Sequence, residues 1–260
     1  MNARQAFAQR LRSRSPMIGT FVKLRDPAVI EMLGGLGFDF VIIDAEHAPF
    51  DREAIACATL AARAANLAAL VRIPDAGGEW IATALDSGAA GIVVPQVRNT
   101  AMAEQLVRKF SYRDGTRGFS PSTAAAGYGA RGIAEHLEAQ AGESVLICQI
   151  EDRSAVGEAS EIAATNGVDG LLVGPVDLAV SEGLTDPRAP EITAMGEEVM
   201  RTATKTGVSG GIFIADPSAS SRWSTCGATL FVLGTDQSFL QQSARAGLAV
   251  ARQALPENAL

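Results

Sequence analysis

A (β/α)8 barrel is the fold class this sequence predicts, and three observations predict it. Apolar runs of strand length recur eight times along the 260 residues, at 17–22, 40–43, 69–73, 91–97, 145–150, 170–173, 211–214 and 230–233. Most are continuous rather than alternating, as parallel strands covered on both faces must be. Helical stretches with legible start and stop signals separate them, and several runs end in polar residues, which is where a parallel barrel gathers its chemistry.

Taken in order, the elements justify themselves. Residues 1–15 are rich in Arg and contain no acid, a composition shared with transit peptides. Ala6, Phe7 and Leu11 nevertheless fit one helical face, which favours a short helix capping the bottom of the fold. The helical stretches open at Asp26-Pro27, Asp51, Asn99, Ser154 and Asp216-Pro217, where a short polar side chain can cap free backbone amides. They close at Gly34-Gly35 and Gly37, Gly88, Gly167, Gly207 and Gly227, each shortly before a strand, where a left-handed cap is needed. Residues 112–132, rich in Gly, Ser, Thr and Ala, interrupt this rhythm, and a connection of that length usually serves function or an interface. Residues 236–260 form the final helix of a single domain spanning 1–260. An open doubly wound sheet is the alternative, disfavoured because no Gly-x-Gly-x-x-Gly turn follows any strand.

Composition narrows the ligands. A net charge of −7 and 47% hydrophobic residues suit a globular protein with a large core and argue against nucleic acid or an anionic membrane as partner. Small molecules are the expected ligands. Cys57, Cys148 and Cys226 are odd in number and widely spaced. They are expected in the core, and the pattern suits a reducing cytoplasm rather than a disulfide framework. No apolar stretch reaches the roughly 20 residues that span a bilayer.

The chemistry concentrates at strand ends. Asp44-Ala45-Glu46-His47 follows the second apolar run and holds one of two histidines; an imidazole with two acids within three residues at a strand end is a candidate acid or base near neutral pH. His136, in a polar helical stretch, is expected to be solvated. Gln149 and Glu151 stand two apart on one strand and so share a face, and Asp177 follows the next strand by a turn. Two carboxylates with no His-x-x-x-His or Cys-x-x-Cys make an oxygen-rich, half-empty sphere that suits Mg²⁺ or Mn²⁺. A salt bridge from Glu151 to Arg153 is the bland alternative. Arg72 ends the third run in apolar surroundings and needs an anion, either a protein carboxylate or that of a ligand such as a planar 2-oxo acid. Lys23 ends the first run and keeps Schiff-base chemistry open as a weaker reading.

The segment 38–49, ending Asp44-Ala45-Glu46-His47-Ala48-Pro49, resembles the signature of the HpcH/HpaI aldolase family. Further motifs follow in that family's order: Val71-Arg72-Ile73-Pro74, Val93-Val94-Pro95-Gln96-Val97, Gly115-Thr116-Arg117-Gly118-Phe119, Gln149-Ile150-Glu151 and Gly174-Pro175-Val176-Asp177-Leu178. The resemblance implies a TIM barrel of the phosphoenolpyruvate/pyruvate type. It also implies a metal-dependent class II pyruvate aldolase, cytoplasmic and hexameric, with the last helix exchanged between subunits. By position, it implies that Glu151 and Asp177 bind the divalent cation (Mg²⁺ or Mn²⁺, with Co²⁺ a further candidate). Arg72 would hold the ketone oxygen of pyruvate, and His47 with Asp44 would form an acid/base dyad. Gln149, Gly174 and Pro175 would support the site, and Asp86 would reach a neighbour's. Lys23 and Asp75-Ala76-Gly77-Gly78 depart from the family's usual residues, which leaves the aldehyde partner open. A lyase acting on acyl-CoA thioesters and a noncatalytic oxo-acid-binding barrel remain the rival readings.

Overall fold

Alternation along each strand decides what the barrel encloses. In the computed structural model, which describes residues 1–255, eight strands close into a parallel barrel in sequence order. Helix α1 (Ala3–Arg12) precedes β1 (Met17–Val22), and α2 (Pro27–Gly35), β2 (Phe40–Asp44), α3 (Arg52–Ala64) and β3 (Ala68–Arg72) follow. Next come α4 (Gly78–Asp86), β4 (Gly91–Val94), α5 (Thr100–Phe110), α6 (Ile133–Glu143) and β5 (Val145–Ile150). The chain continues through α7 (Arg153–Gly157), α8 (Ala159–Ala164), β6 (Gly170–Val173), α9 (Pro175–Ser181), α10 (Pro190–Thr206) and β7 (Ser209–Ile214). It ends with α11 (Ser220–Thr225), β8 (Ala228–Thr235) and α12 (Asp236–Ala254). The last five residues of the expected final helix, 256–260, lie outside the described ones.

Two apolar cores result. Inside the barrel, Met17, Phe21, Phe40, Ile42, Leu70, Val93, Ile147, Leu172 and Val232 pack together, and Phe7, Ala8 and Leu11 of α1 plug the lower end. Phe40 reaches the axis only because Gly19, on the neighbouring strand, has no side chain where the ring lies. The other core lies between strands and helices and takes the alternate residues, such as Val41, Ile43, Val71, Ile92, Leu146 and Cys148. Continuing the inward series past the apolar layers brings up Lys23, Asp44, Arg72 and Gln149 one step on, and Glu151 a step beyond Gln149. These residues therefore crown the upper, carboxyl-terminal rim.

Most boundaries match the sequence expectation, and the departures have local causes. β4 stops at Val94, short of residue 97, because Pro95 lacks an amide hydrogen and Gln96 takes φ +54°. The helix expected to open at Ser154 begins at Arg153, since Asp152 is the cap that accepts from the Ala155 amide at 2.8 Å. Cys57 is exposed and Cys226 partly so; only Cys148 is fully buried, its thiol pushed up to about 12 by desolvation. His136 is buried rather than solvated, enclosed by Tyr112, Phe119 and the 112–132 segment. No described helix is long and apolar enough to cross a membrane.

Candidate active site

Register builds the first half of the site. Asp44 and Arg72 are directly opposed at the ends of β2 and β3. Arg72 donates from Nε to Asp44 Oδ1 at 2.9 Å and from Nη2 to Oδ2 at 2.8 Å. Asp44 is fully buried, and burial alone would raise its pKa, but the hydrogen bond and charge of Arg72 outweigh that and hold it below the usual carboxylate range. With Nε and Nη2 occupied, Arg72 keeps Nη1 for the cavity it lines. Its guanidinium sits 4.5 Å from the Phe21 ring centroid, which fixes its plane.

The turn after β2 supplies the imidazole. The His47 backbone amide donates to Asp44 Oδ1 at 3.2 Å, while its ring lies half exposed at the mouth. The carboxylate beside the ring is that of Glu46, with Oε2 3.6 Å from Nε2, rather than that of Asp44. Glu46 Oε2 also lies 3.4 Å from Arg72 Nε and has no hydrogen-bond partner. Burial, opposed by Arg72 and aided by Asp44 and Asp177, raises its pKa.

Glu151 and Asp177 occupy the opposite wall. Glu151 Oε1 accepts from the Gln96 amide at 2.6 Å, and Oε2 accepts from Gln149 Nε2. Desolvation, then the charge of Asp177, push the Glu151 carboxyl up to about 7. Gly174 is needed for close approach: a Cβ there would meet Gln149 Nε2 at 3.1 Å and Glu151 Oε2 at 3.3 Å. Pro175 opens α9 and delivers Asp177 in its first turn, exposed toward the mouth.

A divalent cation fits this donor set. Asp44, Glu46, Glu151 and Asp177 bring four carboxylates against two permanent cations, Arg72 and Lys23. A divalent ion would supply the missing charge, and Gln149 Oε1 is buried without a partner. Among the described residues no group of three or more His, Cys, Asp or Glu could hold an ion alone. A cation here would therefore draw on Glu151 and Asp177 and complete its shell from substrate and water, as Mg²⁺ and Mn²⁺ do.

Sequence similarity now adds to the geometry. The HpcH/HpaI aldolase/citrate lyase family profile matches residues 17–243. The chain belongs to that family. It is 32% identical to a hydroxypyruvate/pyruvate aldolase of Paraburkholderia phytofirmans, over 92% of this chain and 94% of that one. It is 30% identical to a 4-hydroxy-2-oxo-heptane-1,7-dioate aldolase of Escherichia coli, over 93% and 92%. A crystal structure of an HpcH/HpaI aldolase/citrate lyase family protein from Burkholderia cenocepacia superposes with a TM-score of 0.90 at 33% identity, covering 95% of this chain and 99% of that one. The protein is a carbon–carbon lyase on a (β/α)8 barrel.

Among the expected site residues, His47, Arg72, Gln149, Gly174, Pro175 and Asp177 line one cavity of about 240 Å³. Asp44 and Glu151 bond directly to its lining residues. Asp86 does not join them: it ends α4 at the opposite end of the barrel and pairs with Arg117 at 2.5 Å. A larger cavity of about 840 Å³ opens alongside, shares Val173, Pro175, Val176 and Phe213, and contains none of Asp44, Glu151 and Asp177. Sequence reasoning counted Glu46 only as one of two acids near His47 and did not foresee its contact with Arg72. It also missed the Gln96 amide, for which a sequence carries no signal beyond the preceding proline.

Proposed function

We propose that this enzyme is a class II pyruvate aldolase, which reversibly cleaves 4-hydroxy-2-oxo acids into pyruvate and an aldehyde with the help of a divalent cation, Mg²⁺ or Mn²⁺. The observation that carries the reading is the opposition, across one small cavity, of the Glu151–Asp177 carboxylates and the Asp44-locked guanidinium of Arg72. Glu151 and Asp177 would hold the cation, with Gln149 bracing Glu151. When bound, the cation supplies Lewis acidity toward the carboxylate and ketone oxygens of the pyruvyl unit.

The chain's own residues do the rest. Cleavage passes the C3–C4 electron pair into the pyruvyl unit, so negative charge grows on the ketone oxygen. Arg72 Nη1 is the donor aimed at that charge, and Asp44 holds it ready so that no reorganisation is needed as charge develops. His47, at the mouth, takes the C4 hydroxyl proton through a water as the C4 carbonyl forms, and Glu46 lies where it offsets the imidazolium charge. Return of that proton from His47 through the water to C3 then yields pyruvate.

In the same reading the enzyme works in the cytoplasm, which its three unpaired cysteines support. It does so as a homo-oligomer, a hexamer in which the last helix is exchanged and Asp86 serves a neighbour's site. The test is pyruvate release from a 4-hydroxy-2-oxo acid before and after EDTA, with Mg²⁺, Mn²⁺ or Co²⁺ restored. Activity should vanish and return, and Glu151→Gln or Asp177→Asn should cost more than about 100-fold. Near-normal, EDTA-resistant turnover in either variant would overturn the metal assignment.

A further inference from the structure

We infer that Lys23 is a second catalytic donor at the ketone end of the site, one that bonds to the enolate oxygen as it forms and leaves the ground-state ketone to Arg72. The inference rests on the aldolase reading and adds a residue to its chemistry. Lys23 continues the inward series Met17, Gly19, Phe21 of β1. Its backbone is held by Asp236, whose buried carboxylate accepts from the Lys23 amide at 3.0 Å and the Leu24 amide at 2.9 Å. The side chain therefore rises into the mouth, where it lines the same cavity as Arg72 and His47.

Asp44 brings the two cations to one place. Its Oδ2 accepts from Arg72 Nη2 at 2.8 Å and lies 3.2 Å from Lys23 Nζ. Sharing one oxygen sets the ammonium beside the guanidinium, on the ketone side of the cavity. Two positive charges against one carboxylate leave a surplus, and among the described residues no other carboxylate lies within 4.0 Å of Nζ. The contact is also loose, since 3.2 Å exceeds the roughly 2.7–2.9 Å usual for a charged N–H···O bond. An ammonium has three donors, so two remain for the cavity. Phe21, Leu172 and Phe213 line that cavity and exclude water, which leaves the surplus charge weakly screened.

A neutral ketone does not recruit this ammonium. Its oxygen has two lone pairs; in the proposed reaction Arg72 Nη1 takes one, and the other is turned to the Glu151–Asp177 wall. A strongly hydrated ammonium gives up water only for a full charge. As the C3–C4 electron pair moves into the pyruvyl unit, the oxygen gains a third lone pair and a negative charge. Lys23 Nζ then donates to it without losing its proton, while Asp44 keeps both bonds to Arg72. An interaction made only as charge develops lowers the barrier without tightening substrate binding.

The experiment follows deuterium uptake into the pyruvate methyl group in D₂O with saturating Mg²⁺, which forms the enolate without any aldehyde. Oxalate affinity is measured alongside by calorimetry, because oxalate is planar and carries an anionic oxygen where the enolate does. In Lys23→Met, kcat for uptake should fall about 10²-fold, KM for pyruvate should change by less than about 3-fold, and oxalate should bind about 10-fold more weakly. Lys23→Arg keeps the charge and should recover most of both losses; Lys23→Gln takes the place of Lys23→Met if that variant does not fold. A lysine that merely holds Asp44 and Arg72 in place would weaken pyruvate and oxalate together, and that result overturns the inference. Unchanged uptake in the folded variant overturns it as well, and so does a pyruvyl adduct on Lys23 trapped by borohydride, which would make the amine a nucleophile. In each of these cases wild-type uptake leaves the aldolase reading standing. No uptake by the wild type with metal restored overturns that reading and this inference with it.

Discussion

Arg72 shows how much of the site one side chain organises. Its Nε and Nη2 are engaged by Asp44 within the protein, so Nη1 can be aimed without choosing among partners. Lysine cannot reproduce this, because a single ammonium has no fixed fork to share between Asp44 and a ketone oxygen. Arg72→Lys should lower kcat by about 10²- to 10³-fold, the typical loss for one preorganised donor. Mn²⁺ affinity, read by electron paramagnetic resonance, should hold steady because Glu151 and Asp177 stand on the other wall. A parallel loss of Mn²⁺ binding would show instead that Arg72 shapes the metal side. At this scale the sequence exposed charged residues where strands ended, since a carboxylate or guanidinium after an apolar run has few structural uses. It was silent on Gln96, whose contribution is a backbone amide, and misleading on His136, whose polar neighbours in sequence are not its neighbours in space.

Among the elements, the lower end of the barrel is tied by charge. Glu143, at the end of α6, accepts from Arg131 at 2.8 Å and from Asn2 at 2.9 Å, and pairs with Arg4 of α1 at 2.5 Å. Burial works to raise its pKa, but Arg131, Arg4 and Asn2 outweigh it and the carboxyl stays below its ordinary 4.5. His136, on the same helix, is shifted down from 6.5 by burial first and by Arg117, Arg131 and Arg4 next. The two groups act in separate windows. His136 stays neutral in the fold, so as pH falls through 6.5 the unfolded chain takes up a proton first and stability declines. The Glu143 contribution is complete above 4.5 and is lost only as pH falls below it. Glu151, raised to about 7 in the fold, works the other way in the same window and is common to wild type and variant. In urea denaturation between pH 7.5 and 5.5, the wild type should therefore lose stability relative to His136→Phe as pH falls; a constant difference between the two would remove His136 from the pH dependence. These ties were not legible in the sequence, because they join residues 2, 4, 131 and 143 across most of the barrel wall. The strands were legible, since double burial writes a continuous apolar run regardless of partner. β4 was overextended because Pro95-Gln96-Val97 reads as apolar until the missing amide of the proline is counted.

The whole molecule presents an imbalance that a single protomer does not resolve. Helix α12 spans 19 residues, yet Asp236 alone is buried in it, and its main packing partners are β1 and β8. Leu240, Leu248 and Val250 are 61%, 51% and 67% exposed. Met32 on α2, Leu36 just past its end and Leu60 on α3 are likewise exposed, so the protomer carries both an amphipathic helix with little burial and an apolar surface without a cover. Exchange of α12 between copies would satisfy both, since the same surface then meets the same helix about a symmetry axis. Light scattering should give a mass that is a multiple of the 27.0 kDa chain. Joint Leu248→Asp and Val250→Asp should lower it, because two buried charges without partners cost more than rim contacts return. Activity then becomes diagnostic. Asp86 and Arg117 sit at the end of the barrel remote from their own site, so if they serve a neighbour's mouth, dissociation should lower kcat while Glu151 and Asp177 still bind Mn²⁺. A wild-type protein that is monomeric at micromolar concentration would overturn the assembly and confine Asp86 to a structural ion pair, without touching the chemistry at Arg72.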